Sequence, residues 1–497
     1  MGTPIIAATY ALGMAVLLLY GLNLLWLAAV LVRRREGMPP PGAVDASGSA
    51  GGDQTPSVTV QLPVYNEALV IERLIDACAS LDYPADLLQI QVLDDSTDDT
   101  TELARRRIEF WRSKGRDLEL IRRPGRTGYK AGALGYGLER ARGELVAIFD
   151  ADFLPAPDFL RRTVGAFGDA DVGMVQVRWG HLNERSSLLT RIQAFGLDTH
   201  FAVEQRARDL SGCFINFNGT AGVWRKECIE DAGGWMADTL TEDLDLSYRA
   251  QLKGWRFRFL PGVEVPAELP VDMNGFRGQQ FRWTKGAVQT ALKLLPALWR
   301  SNRSGRVKMQ GTMHLTAHLV FPFILVVAAL HAPLAYVDNV GRGPGDLFFA
   351  AMSIGLAGFS GFFIAQVLAQ QSLYSDWRDR LKILPLFLAG SMGLSVNNSK
   401  AVLEALVGYA TPFVRTPKYS SVGAVSGRWW ASGYALVRLS AIVWIELAMT
   451  LYCTFGAVYA VMTQRWAMIP FQLLFVTGFG LVTVYNFKHF LQGRMRS

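Results

Sequence analysis

Four short groups of residues stand in one order along the middle of the chain: Asp94-Asp95, Asp150-Ala151-Asp152, Thr241-Glu242-Asp243 and Gln279-Gln280-Phe281-Arg282-Trp283. Alternating carboxylates such as Asp150 and Asp152 suit a hard divalent cation, Mg²⁺ or Mn²⁺, which takes oxygen ligands and completes its shell with phosphate. Asp152 is the expected metal ligand, and Asp150 the expected partner of the ribose or the sugar. A third acid, Asp243, has the chemistry of a general base toward a hydroxyl. Gln279, Arg282 and Trp283 fall at i, i+3 and i+4, so one helical face offers an amide, a guanidinium fork for phosphate and an indole for stacking on a sugar. The set fits transfer of a sugar from a nucleotide diphosphate to a hydroxyl. Each motif is short enough to occur by chance, so the ordered combination carries the inference.

Other residues extend the set. Asp94 and Asp95, two adjacent acids at a strand end, would repel unless they meet donors or cations, which suits a base, ribose or sugar hydroxyl. Tyr65 and Glu67 could flank the base. Lys130 opens a helix beside Gly125 and Gly128, among Arg122, Arg123 and Arg126, where cations can meet phosphate. Each has a plainer reading. Asp and Asn at strand ends make turns and helix caps, Thr241 with acids behind it is ordinary N-terminal helix chemistry, and Arg with Trp anchors helices in lipid headgroups.

The elements that must position these residues follow from hydrophobic patterning. From Ser57 to about Ala267 short apolar runs alternate with helical patterns. Strands are expected near Val58 to Leu62, Ile90 to Leu93, Glu119 to Ile121, Leu145 to Phe149 and Gly173 to Val177, with helices such as Thr101 to Arg112 and Ala131 to Ala141. That alternation predicts an α/β domain with a mostly parallel sheet, in which ligands lie beyond the carboxyl ends of the strands. Three polar loops meet that expectation: Pro63 to Glu67, Asp94 to Ser96 and Asp150 to Asp152.

Half of the 497 residues are hydrophobic, and they are concentrated in Ile5 to Val32, Leu315 to Val337, Leu347 to Leu368, Leu436 to Met462 and Met468 to Tyr485. Each meets the requirement of about 20 apolar residues for a membrane helix, so five spans are expected. The first lacks a basic leader and is followed by Arg33-Arg34-Arg35, which reads as an uncleaved anchor with the following domain in the cytoplasm. Residues 36–56 form a Gly, Ser, Ala and Pro rich linker, and 57–273 the catalytic domain. The amphipathic stretch 274–310, with Phe276 to Trp299 at its centre, reads as an interfacial helix, and 311–497 as a carboxy-terminal membrane region. Within it, 381–408 is short and broken by Pro385, Gly390 and Gly393, and is expected to be interfacial or re-entrant. The basic loop 411–428 and the basic carboxy terminus then share the cytoplasmic side. Four cysteines without metal or redox spacing suit a reducing compartment. A net charge of +7 is met by anionic lipid and a diphosphate, with no nucleic acid partner expected.

The ordered Asp-Asp, Asp-x-Asp, Thr-Glu-Asp and Gln-x-x-Arg-Trp set resembles that of the processive membrane glycosyltransferases of family 2, which include cellulose synthases and the cellulose-synthase-like mannan and glucan synthases. The resemblance implies a GT-A domain on a transmembrane pore. It implies donor-binding roles for Tyr65, Glu67, Asp94, Asp95, Lys130, Asp150, Gln279 and Arg282, a metal role for Asp152, and the base role for Asp243. Trp283, Glu242 and the run Phe217-Asn218-Gly219 look like acceptor-binding positions, although the family's cysteine in that last loop is missing. Phe413 to Lys418 is similar to the Phe-x-x-Thr-x-Lys gating loop, which brings Thr416 and Lys418 to the donor. The single span ahead of the domain is closer to the cellulose-synthase-like mannan and glucan synthases, and the chain ends without a cyclic-di-GMP sensing domain.

The expected activity is therefore inverting, processive synthesis of a β-linked glucan or mannan from UDP-glucose, or GDP-mannose, with export of the polymer through the inner membrane. The rivals are transfer of a single sugar to a lipid and an inactive transporter or scaffold, which the intact Asp95, Asp152 and Asp243 oppose.

Overall fold

Val58–Val64 and Leu88–Asp94 are buried almost throughout, including Thr59, Gln61, Gln89 and Gln91, because both faces of these strands are covered. In the computed structural model, which describes residues 2–34, 55–354, 357–412, 414–420, 429, 434 and 439–494, they are β1 and β2 of a seven-stranded sheet. The others are β3 (Leu118–Ile121), β4 (Leu145–Ile148), β5 (Val172–His181), β6 (Gly222–Arg225) and β7 (Arg256–Ala267), in the order β3-β2-β1-β4-β6-β5-β7. β1 runs parallel to β2 and β4, β2 to β3, and β5 to β7. β6 is antiparallel to both neighbours and the other six strands run one way, so the sheet is mostly parallel, as the sequence pattern predicted, with one reversed strand. The helices Ile71–Ala79 and Thr100–Arg112 cover one face of β1 and β2, and Tyr129–Leu138 packs against both strands with its apolar side in a second core cluster. With β6 reversed, the carboxyl ends of β1, β2, β4, β5 and β7 and the amino end of β6 share one edge.

Outside the sheet, four helices among the described residues are long and apolar enough to cross a membrane: Thr3–Arg33, Ala317–Asn339, Ile442–Met462 and Trp466–Arg494. The expected span 347–368 is covered by two shorter helices, Asp346–Ile354 and Ala357–Leu373, on either side of the undescribed 355–356. The stretch 381–408 forms the helices Leu384–Gly393 and Ser395–Leu406, of 10 and 12 residues, too short to span singly. The linker 36–56 lies outside the described residues except for its last two.

Small residues bring these helices together. A Cβ on Gly478 would lie 2.2 Å from Ala389 O, and one on Gly393 2.2 Å from Gly478 O, so the backbones of Leu384–Gly393 and Ile469–Arg494 are in direct contact. Gly478→Val is expected to destabilise the bundle by about 1–3 kcal/mol through overpacking, seen as a lower thermal midpoint of the detergent-solubilised protein.

One helix joins the two halves. Met273–Arg300 is capped by Asp272, whose Oδ1 accepts from Gly275 N at 2.7 Å, and it replaces the expected 274–310 segment, a separate helix starting at Gly305. It packs on Glu242–Lys253 at one side and on Ser395–Leu406 at another. Its buried Arg277 lies 3.4 Å from Glu446 in the Ile442–Met462 helix and 3.2 Å from Asn486 Oδ1.

Candidate active site

The shared sheet edge opens into a cleft, and its wall is built from strand ends. Tyr65 and Glu67 follow β1, Asp95 follows β2, Asp150 and Asp152 follow β4, Trp179 and His181 close β5, Glu268 follows β7, and Asn218 and Gly219 precede β6. Lys130 enters from the first turn of Tyr129–Leu138, and Glu242 and Asp243 from the first turn of Glu242–Lys253. Gln279, Arg282 and Trp283 close the cleft from the long connecting helix.

Four acids at the cleft floor each have their own cation. Lys130 Nζ lies 2.5 Å from Asp150 Oδ1 and donates to Gly219 O at 2.8 Å. Lys418 Nζ is 2.7 Å from Asp152 Oδ2, Arg415 is 3.1 Å from Glu67, and Arg73 pairs with Glu268. Burial pushes the Glu67 carboxyl up to about 8 although Arg415 opposes it, and burial likewise raises Asp152 against Lys418. Burial works against the Lys130 charge, but Asp150, Glu242 and Asp243 outweigh it and its pKa is raised. Burial also brings the Arg282 guanidinium down to about 10, a value that leaves it charged at neutral pH.

Asp243 has the setting of a base. Its Oδ1 accepts from Leu244 N at 2.8 Å, and burial, with neighbouring Glu242 adding to it, raises its pKa to about 7. A base poised near the working pH is the effective kind. The acid reaches the cleft across Gly219, whose φ is +83° and where a Cβ would sit 3.0 Å from Asp243 Oδ2, so that position needs glycine for both conformation and space. Trp283 stands beside Trp179, ring centroids 6.5 Å apart, as an aromatic surface suited to a pyranose face.

The segment 411–418, described except for Phe413, runs over the cleft. Arg282 donates to Val414 O at 2.5 Å and to Thr416 Oγ1 at 3.0 Å. Three residues on, the fully buried Lys285 holds the root of the segment through Glu404 at 2.9 Å, Tyr409 O at 2.7 Å and Thr411 Oγ1. Arg415 also donates to Tyr65 O at 2.7 Å.

Two expected site residues are elsewhere. Asp94 is the last residue of β2 and its carboxylate is buried, accepting from Ser96 N at 2.9 Å and Thr101 Oγ1 at 2.6 Å; it holds the turn together and does not line the cleft. Phe217 is fully buried edge-on to Trp224 and supports the loop from beneath, leaving Asn218 and Gly219 at the surface of the site. Asp95 does line the cleft, with both oxygens paired to Arg123 at 2.8 and 2.6 Å. Beside it the Arg126 guanidinium sits 3.3 Å over the Tyr65 ring. The sequence reading missed Trp179, His181 and Glu268, whose signal was the polar or aromatic end of a strand, and Arg415, which lies inside the gating-loop motif between residues that it did assign.

For a divalent cation the donor set is chemically suitable. Asp152 Oδ1 is buried with no hydrogen-bond partner, and Asp150 stands next to it, both oxygen donors of the kind Mg²⁺ and Mn²⁺ prefer. Among the described residues no group of three His, Cys, Asp or Glu side chains is arranged to hold a metal ion, so a bound cation would take the rest of its ligands from the substrate or from water.

Comparison with known proteins places this geometry. Residues 56–286 match the family described as "Glycosyltransferase like family 2". The chain is 42% identical over 281 residues to glucomannan 4-beta-mannosyltransferase 1 of Oryza sativa subsp. japonica, covering 56% of this chain and 53% of that protein. It is 43% identical over 258 residues to glucomannan 4-beta-mannosyltransferase 2 of Arabidopsis thaliana, covering 51% and 48%. The chain thus spans about half the length of these curated relatives. Its fold is similar to that of the mannosyltransferase PcManGT from Pyrobaculum calidifontis in complex with GDP-Man and Mn²⁺, with a TM-score of 0.56 and 24% identity over 82% of this chain and 100% of that one.

Proposed function

Because residues 56–286 are a glycosyltransferase-like family 2 domain of GT-A fold, we propose that the chain is a processive inverting synthase that extends a β-linked mannan-type polymer from GDP-mannose. The relatives are named as 4-beta-mannosyltransferases, which supports mannose over the glucose donor favoured by the sequence reading. The observation that carries the proposal is the convergence of Asp243, Asp152 and Trp283 on one cleft, closed by a helix that continues against the apolar helices.

Asp243 takes the proton of the acceptor hydroxyl, and that oxygen bonds to the anomeric carbon. The bond from that carbon to the diphosphate breaks, its electron pair leaves with the nucleoside diphosphate, and the configuration inverts. Arg282 and Lys418 face the leaving diphosphate, and Trp283 with Asn218 orients the acceptor end. Asp152, with Asp150 beside it, would hold a divalent cation, which when bound would supply positive charge to the leaving group. Four helices long and apolar enough to cross a membrane support a membrane enzyme, and the arginines at the end of the first of them support a cytoplasmic catalytic domain.

The test is direct. Membranes containing the protein, given radiolabelled GDP-mannose or UDP-glucose with Mn²⁺, are expected to make long β-mannanase-sensitive chains from the mannose donor. Products carrying one sugar on a lipid would replace this reading with the non-processive one, and incorporation from UDP-glucose alone would overturn the donor assignment.

A further inference from the structure

The two oxygens of Asp152 stand in different settings. Lys418 Nζ lies 2.7 Å from Oδ2, with the two side chains only 16% and 2% exposed, while Oδ1 is buried without a partner. A divalent cation on Oδ1 would have to share the single negative charge of Asp152 with the ammonium on Oδ2, in a site of low dielectric, so each would weaken the hold on the other. A diphosphate changes that balance, because its oxygens bridge the cation and the ammonium and neutralise both.

We propose that Lys418 makes cation binding conditional on the diphosphate: it disfavours a divalent cation arriving alone at Asp152 and favours one arriving together with the nucleotide. This rests on the reading of the cleft as a nucleotide-diphosphate site. The lysine is delivered there by a built support. Thr416 and Val414 are held by Arg282, the root at Thr411 by the buried Lys285, and Arg415 by Glu67 and Tyr65 O. The lack of a three-ligand protein cluster among the described residues acts in the same direction, since the protein offers a lone cation few oxygens.

The experiment uses the full chain in detergent and measures Mn²⁺ binding by the electron paramagnetic resonance of free Mn²⁺, first without nucleotide and then with GDP. Lys418→Met is expected to bind Mn²⁺ alone about fivefold more tightly and GDP in the presence of Mn²⁺ about fivefold more weakly, so that the cation and the nucleotide lose most of their mutual reinforcement. Lys418→Arg, which keeps the charge, is expected to stay near the parent. A misfolded variant would weaken both ligands, and circular dichroism with a thermal midpoint identifies it; Lys418→Gln then provides the same comparison. Unchanged or weaker binding of Mn²⁺ alone in a folded, charge-free variant would overturn the proposal. Failure of the parent protein to bind GDP with Mn²⁺ would overturn the nucleotide-site reading instead, whatever the lone-cation result.

Discussion

Asp243→Asn is expected to lower polymer synthesis by about 10³-fold or more while changing GDP affinity by less than about twofold. The substitution keeps the size of the side chain and its acceptor oxygen for Leu244 N, but an amide cannot take the acceptor's proton. The pH profile adds a second readout. Burial raises the Asp243 pKa to about 7, and only the deprotonated form is a base, so wild-type turnover should rise as pH increases through about 7 and then level. The residual rate of the variant should lack that rise. Initial rates from labelled GDP-mannose between pH 5.5 and 8.5 on the order of half-unit steps, with equilibrium GDP binding alongside, check both statements. Near-wild-type rates in the variant would remove Asp243 from the reaction.

The second large effect is expected at Asp152→Asn. Its carboxylate has one oxygen on Lys418 and the other buried without a partner, so the amide removes the negative charge that both a cation and Lys418 depend on. Turnover should fall by about 10²–10³-fold, the range for loss of one group that stabilises developing charge, and Mn²⁺ should bind at least about tenfold more weakly in the presence of GDP. Asp150→Asn should be milder, because Asp150 is held by Lys130 and the amide oxygen can still accept that bond. Equal losses in the two variants, with unchanged Mn²⁺ binding in both, would count against Asp152 as the cation ligand.

The site was largely legible in the sequence because strand-end loops advertise themselves. Apolar runs ending in Asn66-Glu67, Asp95 and Asp150-Ala151-Asp152 located three walls of the cleft. What failed was the treatment of adjacent residues as equivalent. Of Asp94 and Asp95, only the second, just past the strand, lines the cleft while the first secures the turn, and of Phe217 and Asn218, in the loop before β6, only Asn218 lines it. β6 is four residues long and antiparallel, too short for a periodic signal, and β7 carries Pro261 and Gly262 at an irregular register with β5. Missing β7 hid Glu268, and ending β5 at Val177, short of its last residue His181, hid the strand-end role of Trp179 and His181.

The helix Met273–Arg300 has a consequence for how this enzyme could be inherited or re-engineered. Residues 56–286 look like a portable module, but the cleft borrows Arg415, Thr416 and Lys418 from beyond it, and Lys285, one residue from the module's end, grips Glu404 and Thr411. A chimaera cut at that boundary would transplant an acid-rich floor stripped of two of its four counter-charges. The cleft and the helical half are therefore one unit of exchange, and altered sites are better sought by grafting 411–418 together with the helix that holds it than by swapping residues 56–286 alone.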